Sequence, residues 1–119
     1  LIRNLLGYDD KSGSLVLGAN LRRGQTLQFQ LRDAHTSDQD FSMLLSQLPK
    51  NDGSPVAGLL FSCCGRGKGL YGELDHDATL VQSLRGPVPV AGFFANGEFG
   101  PVGGRNFVHG YTSSLALIK

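Results

Sequence analysis

The stretch PVAGFFANGEFGPVGGRNFVHGY, residues 89–111, decides how the fold of this chain is interpreted. An apolar run over residues 88–95 predicts one strand, and a second strand-like run begins at Asn106. The ten residues between them include four glycines together with the charged residues Glu98 and Arg105. A turn that only joins two strands needs about two to five residues. The longer, charged segment therefore indicates a binding loop.

A second continuous apolar run covers residues 57–63, and a short helical pattern over about residues 77–85 separates it from the run at 88–95. Continuous apolar runs are typical of strands that are covered on both faces and pair in parallel. This order predicts a βαβ unit, whose crossover is expected to be right-handed. Residues 106–118 predict a last strand, antiparallel to the run at 88–95, with Gly110 at a bulge or a point of close backbone approach.

The beginning of the chain predicts antiparallel strands. Residues 1–8 and 14–18 are apolar runs, and the turn-forming cluster between them indicates a hairpin. Residues 25–32 then alternate apolar and polar side chains, which predicts a half-buried strand.

One helix is predicted before the βαβ unit, beginning at the candidate N-caps Thr36 or Ser37 and ending before Pro49. Its apolar residues recur with helical spacing and are Phe41, Leu44, Leu45 and Leu48. The chain is therefore expected to form one α+β (mixed α/β) domain over residues 1–119. Its mixed sheet is expected to contain about five or six strands, with two helices, one βαβ unit and antiparallel hairpins.

Composition excludes several classes of protein. A net charge of +1 provides no basic surface for nucleic acid, and no apolar run approaches the ~18 residues of a membrane span. The two cysteines, Cys63 and Cys64, are neighbours in the chain, and a disulfide between neighbours requires a strained ring. Free thiols of this kind indicate a reducing, cytoplasmic setting.

Three motifs carry a resemblance to a known family: GFFANGEFGPVGGRNFVHGYTSSLAL at residues 92–117, AGLLFSCCGRGKGLYGELDHD at 57–77 and LIRNLLGYDDKSGSLVLGANLRRGQTLQFQLRDA at 1–34. Together they resemble the C-terminal domain of the FIST (F-box and intracellular signal transduction) family. Ala95 and Phe99 depart from that pattern, where cysteine and isoleucine are expected. The resemblance implies a sensory module that binds small ligands beside a signalling output domain or an F-box. It also implies that a companion N-terminal half is absent, so the chain is expected to be a fragment.

Two glycine-rich loops are expected to meet at the carboxyl ends of the parallel strands, where open sheets bind ligands. One loop spans residues 64–76, after the strand at 57–63, and the other spans residues 96–105. The titratable residues that they hold are Arg66, Lys68, Glu73, Asp75, His76, Glu98 and Arg105. Arg66 and Arg105 would pair with an anionic group, Glu98 would accept an ammonium group, and glycine amides would donate further hydrogen bonds. The candidate ligand-binding residues are Cys64, Gly65, Arg66, Gly67, Asn96, Gly97, Glu98, Gly103, Gly104, Arg105 and His109.

Three other kinds of site are disfavoured or left open. Residues 67–72 match G-x-G-x-x-G, but acidic residues beginning at Glu73 follow directly, which disfavours a dinucleotide. A metal site is disfavoured as well, because its candidate ligands lack the spacing of a structural site; they are Cys63, Cys64, Asp75, His76 and Asp77. Cys64 stands at a strand end before an arginine, where its thiolate would be stabilised. A redox or hydrolytic enzyme that uses Cys64 is therefore an open alternative.

The favoured interpretation is a non-enzymatic, cytoplasmic sensory domain that binds a small molecule, such as an amino acid or another anionic metabolite. No catalytic residue or metal ligand is predicted, and no cofactor is identified. The expected partners are the N-terminal half of the protein and signalling output domains, without nucleic acid or a membrane span. The fragment is expected to expose an apolar patch and to self-associate. The alternative function is a protein–protein interaction module associated with an F-box or an output domain.

Overall fold

A computed structural model describes residues 2–49 and 53–119 of the protein. The chain divides into two compact units, Leu1–Leu31 and Arg32–Lys119. With three α-helices and seven strands among the described residues, the fold belongs to the predicted α+β class. There are more strands than predicted, because the expected loop and last strand contain a further hairpin. There are more helices than predicted, because a short helix follows the strand at residues 57–63.

The first unit is an antiparallel hairpin of β1 (Leu5–Asp9) and β2 (Ser14–Leu17), as predicted. At its turn Gly13 adopts a φ of 67°, and its amide donates to the carbonyl oxygen of Asp9. The prediction of a strand over residues 25–32 is wrong, because these residues form no strand and are exposed. An alternating segment becomes a half-buried strand only where a neighbour pairs with it, and no described strand does so here.

The second unit begins with helix α1 (Ala34–Gln47). Its N-cap is Asp33, whose carboxylate accepts hydrogen bonds from the amide and the hydroxyl of Thr36 at 2.9 and 2.7 Å. The helix itself was predicted, but the cap lies three residues earlier than Thr36. Phe41 and Leu45 are buried, whereas Leu44 is exposed, so the buried stripe is narrower than the predicted one.

The predicted βαβ unit is present. Strand β3 (Ala57–Cys63) pairs in parallel with β4 (Val90–Ala95). A single 3-10 turn, Cys64–Arg66, follows β3 and leads into the short helix α2 (Lys68–Tyr71) and then α3 (His76–Arg85). The right-handed crossover stays a prediction.

The predicted loop at residues 96–105 and the predicted single strand at 106–118 are both wrong. Instead β5 (Glu98–Val102) and β6 (Arg105–His109) form an antiparallel hairpin. Its turn is Gly103-Gly104, with φ values of 58° and 77° that glycine adopts readily. The last strand, β7 (Ser113–Ile118), pairs antiparallel with β3 rather than with β4.

The main sheet has the order β4-β3-β7, and its largest buried cluster lies on the face that carries α1 and α3. The buried cluster of Phe41, Leu45, Leu60 and Val81 joins α1 and α3 to β3. The prediction that β4 is covered on both faces is wrong, because Phe93 and Phe94 are 65% and 54% exposed. β4 is an edge strand of this sheet, with one neighbour instead of two.

Candidate functional site

Two adjoining cavities lie along β4, between the carboxyl-terminal half of β3 and the segment that leads into the first turn of α3. The larger has a volume of about 230 Å³ and the smaller about 150 Å³. They share Gly67, Asp75 and Phe94 in their walls, and we call them together the groove. The smaller cavity, lined by Cys64 and Phe94, lies near the carboxyl ends of the parallel strands, where open sheets bind ligands.

A buried ion pair forms one end of the groove. Nε and Nη2 of Arg66 donate to the two carboxylate oxygens of Asp77 at 2.8 and 3.0 Å, and each residue is only 7% exposed. The hydroxyl of Ser62 donates to the same carboxylate at 2.9 Å. The 3-10 turn after β3 directs Arg66 toward the first turn of α3, so the pair links these two elements.

The pair changes the titration of both groups. Burial alone would raise the pKa of Asp77, but the charge and hydrogen bonds of Arg66 hold it below its usual value. Burial would lower the pKa of Arg66, and Asp77 raises it instead. Nη1 of Arg66 donates to the carbonyl oxygen of Tyr111 at 3.3 Å. The guanidinium is thus bound to Asp77 and Tyr111 while it lines the larger cavity, and the pairing of Arg66 with an anionic ligand stays a prediction.

His76 lies in the wall of the larger cavity with both ring nitrogens near carboxylates. Nε2 is 3.0 Å from Oδ1 of Asp38, and Nδ1 is 3.5 Å from Oδ1 of Asp77. Its ring stacks on that of Tyr71, with centroids 3.6 Å apart. Burial and the nearby charge of Asp77 raise the pKa of Tyr71 to about 12, so its phenol is neutral at physiological pH. These contacts connect α1, α2 and α3 behind the groove.

The accessible charges of the groove are Lys68 and Asp75. Both side chains line the smaller cavity, together with Cys64, Leu74 and Phe94. Neither side chain forms an ion pair within residues 2–49 and 53–119. Asp75 adopts a left-handed φ of 57°, which turns the chain into α3. The groove thus presents one cation and one anion beside an aromatic ring.

The sequence-predicted residues divide between two places. Cys64, Arg66 and Gly67 line the groove. Gly65 lies under the ring of Tyr111, where a Cβ atom would collide with the ring. The predicted residues from the second loop line neither of the two cavities, and they are Asn96, Gly97, Glu98, Gly103, Gly104, Arg105 and His109.

The residues of the second loop make contacts that hold the β5–β6 hairpin. The buried Glu98 accepts hydrogen bonds from the amide of Gly97 at 3.2 Å and the hydroxyl of Thr112 at 3.1 Å. His109 places Nε2 3.0 Å from the carbonyl oxygen of Gly100. Arg105 is exposed at the start of β6. A role for these residues in ligand binding stays a prediction.

The candidate list from the sequence omitted Lys68, Asp75 and Phe94, although Lys68 and Asp75 were noted among the charged residues of the first loop. The first two belong to the glycine-rich segment that was expected to bind ligand, and their opposite charges were the available signal. Phe94 was assigned to a covered strand, and only its position at the sheet edge reveals its exposure. Across residues 2–49 and 53–119, no three His, Cys, Asp or Glu side chains converge as metal ligands. In the same part of the chain, no helix has the length and apolar character needed to cross a membrane.

Comparisons with known proteins identify relatives of the whole chain. A protein of Mycobacterium tuberculosis (strain ATCC 25618 / H37Rv), described as "Uncharacterized protein Rv0628c", is 48% identical over 98% of this chain and 31% of its own length. A protein of Mycobacterium bovis (strain ATCC BAA-935 / AF2122/97), described as "Uncharacterized protein Mb0898c", is 44% identical over 98% of this chain and 31% of its own length. The chain thus spans about a third of these relatives. No solved structure matches it significantly.

The family comparison covers most of the chain. Residues 1–101 match the family model described as the FIST C domain. This match includes the whole groove and extends into the β5–β6 hairpin. It confirms the resemblance that the glycine-rich motifs indicated. The chain therefore belongs to the family of FIST C domains, which are associated with signal transduction.

Proposed function

We propose that this domain is a sensory module that binds a small amphoteric metabolite, such as an amino acid, in the groove. The observation that carries the proposal is the pair of accessible, oppositely charged side chains, Lys68 and Asp75, beside an exposed aromatic ring. Both cavities are smaller than the roughly 300–1,000 Å³ of drug-sized sites. A metabolite of a few carbon atoms is therefore the appropriate size class.

Each part of such a ligand has a partner of matching chemistry. Its ammonium group pairs with Asp75, and the ring of Phe94 adds a cation–π contact. Its carboxylate pairs with Lys68, which replaces the sequence-based assignment of that role to Arg66 and Arg105. An apolar side chain extends toward Leu60 and Val90 in the larger cavity. A hydrogen bond to a charged group contributes about 1.5–3 kcal/mol.

We further propose that the domain binds its ligand without converting it. A general base needs a ring nitrogen that is free to take a proton from the substrate. Both ring nitrogens of His76 already face carboxylates, at 3.0 and 3.5 Å. The pair of unlinked cysteines supports a cytoplasmic location, and the signalling association of the family supports an output domain as partner.

The proposal is tested by calorimetric titration of the chain with leucine and with two analogues that each lack one charge. Isoamylamine keeps the ammonium group, and 4-methylpentanoate keeps the carboxylate. We expect leucine to bind, and each analogue to bind at least tenfold more weakly, because one charge-assisted contact is lost. A panel of the other amino acids in the same assay determines which apolar group fits.

Matched variants assign the contacts. Asp75→Asn keeps a residue that tolerates the left-handed φ, and Lys68→Gln keeps most of the length of the side chain. We expect each to weaken leucine binding about tenfold or more, while the control Glu73→Gln, an exposed acid outside the groove, leaves it unchanged. Absence of binding by every amino acid at millimolar concentration would refute the proposed function. Binding that is insensitive to both groove variants would refute the site.

A further inference from the structure

The face of the β4-β3-β7 sheet opposite α1 and α3 is apolar, and we call it the open face. Strand register places alternate residues of the three strands on this side. Its ten residues are Ala57, Leu59, Phe61, Cys63, Ala91, Phe93, Ala95, Ser114, Ala116 and Ile118. None of them is charged, and Ser114 alone carries a hydroxyl. A sheet face that meets water normally carries polar side chains, so this one has the composition of a covered face.

Three of the four large side chains of the open face are exposed nevertheless, and the fourth, Phe61, is half-buried. Leu59 is 40% exposed, Phe93 65% and Ile118 46%. Phe61 and Phe93 contact each other edge to face, with ring centroids 5.0 Å apart, and form the centre of the patch. Contiguous apolar patches of this kind mark interaction sites. The cluster on the opposite face contains only four buried residues. A second layer on the open face would therefore add to the apolar surface that the sheet buries.

The size of the open face argues against a second copy of this chain as its occupant. Three strands about 4.8 Å apart and about six residues long, at ~3.3 Å per residue, give an area of roughly 300 Å². A stable dimer buries about 800 Å² on each partner. An occupant within the same polypeptide needs less area, because the linkage gives it a high effective concentration.

The relatives provide such polypeptide. Each of the two mycobacterial proteins matches this chain over 98% of its residues, yet the match covers only 31% of the relative. Parallel strands are normally covered by helices on both faces, and β3 and β4 form such a parallel pair. Here α1 and α3 supply one of the two layers.

We propose that the open face is the docking site for an amphipathic helix from the part of the full-length polypeptide that lies outside these 119 residues. Its apolar side packs on Leu59, Phe61 and Phe93 and completes a three-layer α/β/α arrangement. The groove lies between β4 and the start of α3, and Ala91 and Phe93 of the edge strand contribute to the wall of its larger cavity as well as to the open face. The inference does not depend on the ligand of the groove.

The test compares this chain alone with a chimera in which the chain replaces its matching segment in the Rv0628c protein. The dye ANS, which fluoresces on exposed apolar surface, is added to both. We expect strong fluorescence from the chain alone and at least a fivefold lower signal from the chimera. Phe93→Glu should remove most of the dye signal from the chain alone and lower the melting temperature of the chimera by more than 5 °C. The control Phe99→Glu, at a phenylalanine that is 79% exposed on the separate β5–β6 hairpin, should do neither.

Three outcomes would overturn the proposal. A chimera that binds the dye as strongly as the chain alone has an uncovered face. A chimera whose stability is insensitive to Phe93→Glu has no helix packed on that ring. A chain that sediments as a dimer, and becomes a monomer with Phe93→Glu, has a second copy as its occupant. Should the chimera be insoluble, the natural Rv0628c protein and its isolated matching segment give the same dye comparison.

Discussion

The carboxylate of Asp77 accepts hydrogen bonds from Arg66 and Ser62 at a position that is 7% exposed. Asp77→Asn would leave the Arg66 guanidinium buried without a countercharge. Removing one partner of a buried pair costs about 3–5 kcal/mol. We expect a loss of free energy of unfolding in this range in urea titrations, whereas the exposed Asp40→Asn on α1 should change it by less than ~0.5 kcal/mol. A loss below ~1 kcal/mol at Asp77 would mean that the pair is not structurally important.

The same residue predicts a dependence of stability on pH. Its pKa in the folded state lies below the ordinary value of 3.8, so the folded protein binds this proton more weakly than the unfolded chain. The stabilisation from ionised Asp77 is complete above pH 3.8 and is lost as pH falls through the lower pKa of the folded state. Between about pH 5 and 2, the free energy of unfolding should therefore fall less steeply in Asp77→Asn than in the natural chain. Equal slopes would contradict this assignment.

At the scale of elements, the parallel pairing of β3 and β4 depends on Gly92, which stands opposite Leu60. A Cβ atom at this position would overlap the carbonyl oxygen of Leu60. We expect Gly92→Ala to lower the free energy of unfolding by about 1–3 kcal/mol, the usual cost of overpacking. Gly69→Ala in the exposed helix α2 is the control, because its Cβ would meet no atom within 4 Å. If the two variants had the same free energy of unfolding in urea, the pairing of β3 with β4 would accommodate a Cβ atom at residue 92 without loss of stability.

The elements that were predicted correctly are those whose signal is local. The hairpin of β1 and β2 follows from its turn residues, and the βαβ unit follows from two apolar runs around a helical pattern. The prediction of a strand at residues 25–32 was wrong, because alternation of apolar and polar residues indicates only that one side of the segment is apolar. Whether another strand pairs with that side depends on residues far away in the chain.

The prediction of a single strand in the last part of the chain was wrong for a related reason. Residues 106–118 have strand propensity throughout, but Tyr111 adopts a left-handed φ of 63° and separates β6 from β7. The ring of Tyr111 lies under the guanidinium of Arg32, 3.1 Å from the ring centroid, and its carbonyl oxygen accepts from Arg66. Both partners are distant in sequence, so no local pattern predicts the break.

The candidate site was predicted only in part, because some of its contacts join residues that are distant in sequence. The segment after β3 was correctly expected near the carboxyl ends of the parallel strands, because topology determines that position. The role of Arg66 was not predictable, since its use depends on a contact with Asp77 across the crossover. The second glycine-rich segment forms a hairpin of its own, and composition does not distinguish a hairpin turn from a ligand loop.

At the scale of the whole molecule, the two compact units differ in how much they bury. No residue of the hairpin β1–β2 is buried, whereas β3 contains Gly58, Leu60, Ser62 and Cys63 in buried positions. A two-stranded hairpin is marginally stable by itself in water. We expect backbone amides of β1 and β2 to exchange with solvent at least about 100-fold faster than those of β3. Comparable protection in a hydrogen-exchange experiment would contradict this difference.

The two neighbouring cysteines are in different environments, because Cys63 is buried in β3 while Cys64 is exposed in the wall of the groove. The native chain therefore offers one reactive thiol to an alkylating reagent, and that thiol lies where the ligand is proposed to bind. A molecule that occupies the groove will slow alkylation of Cys64, and the concentration that halves the rate measures its affinity. Ligands of this domain can thus be sought by mass spectrometry in mixtures of metabolites, without a label, an introduced mutation or any assumption about their chemical identity.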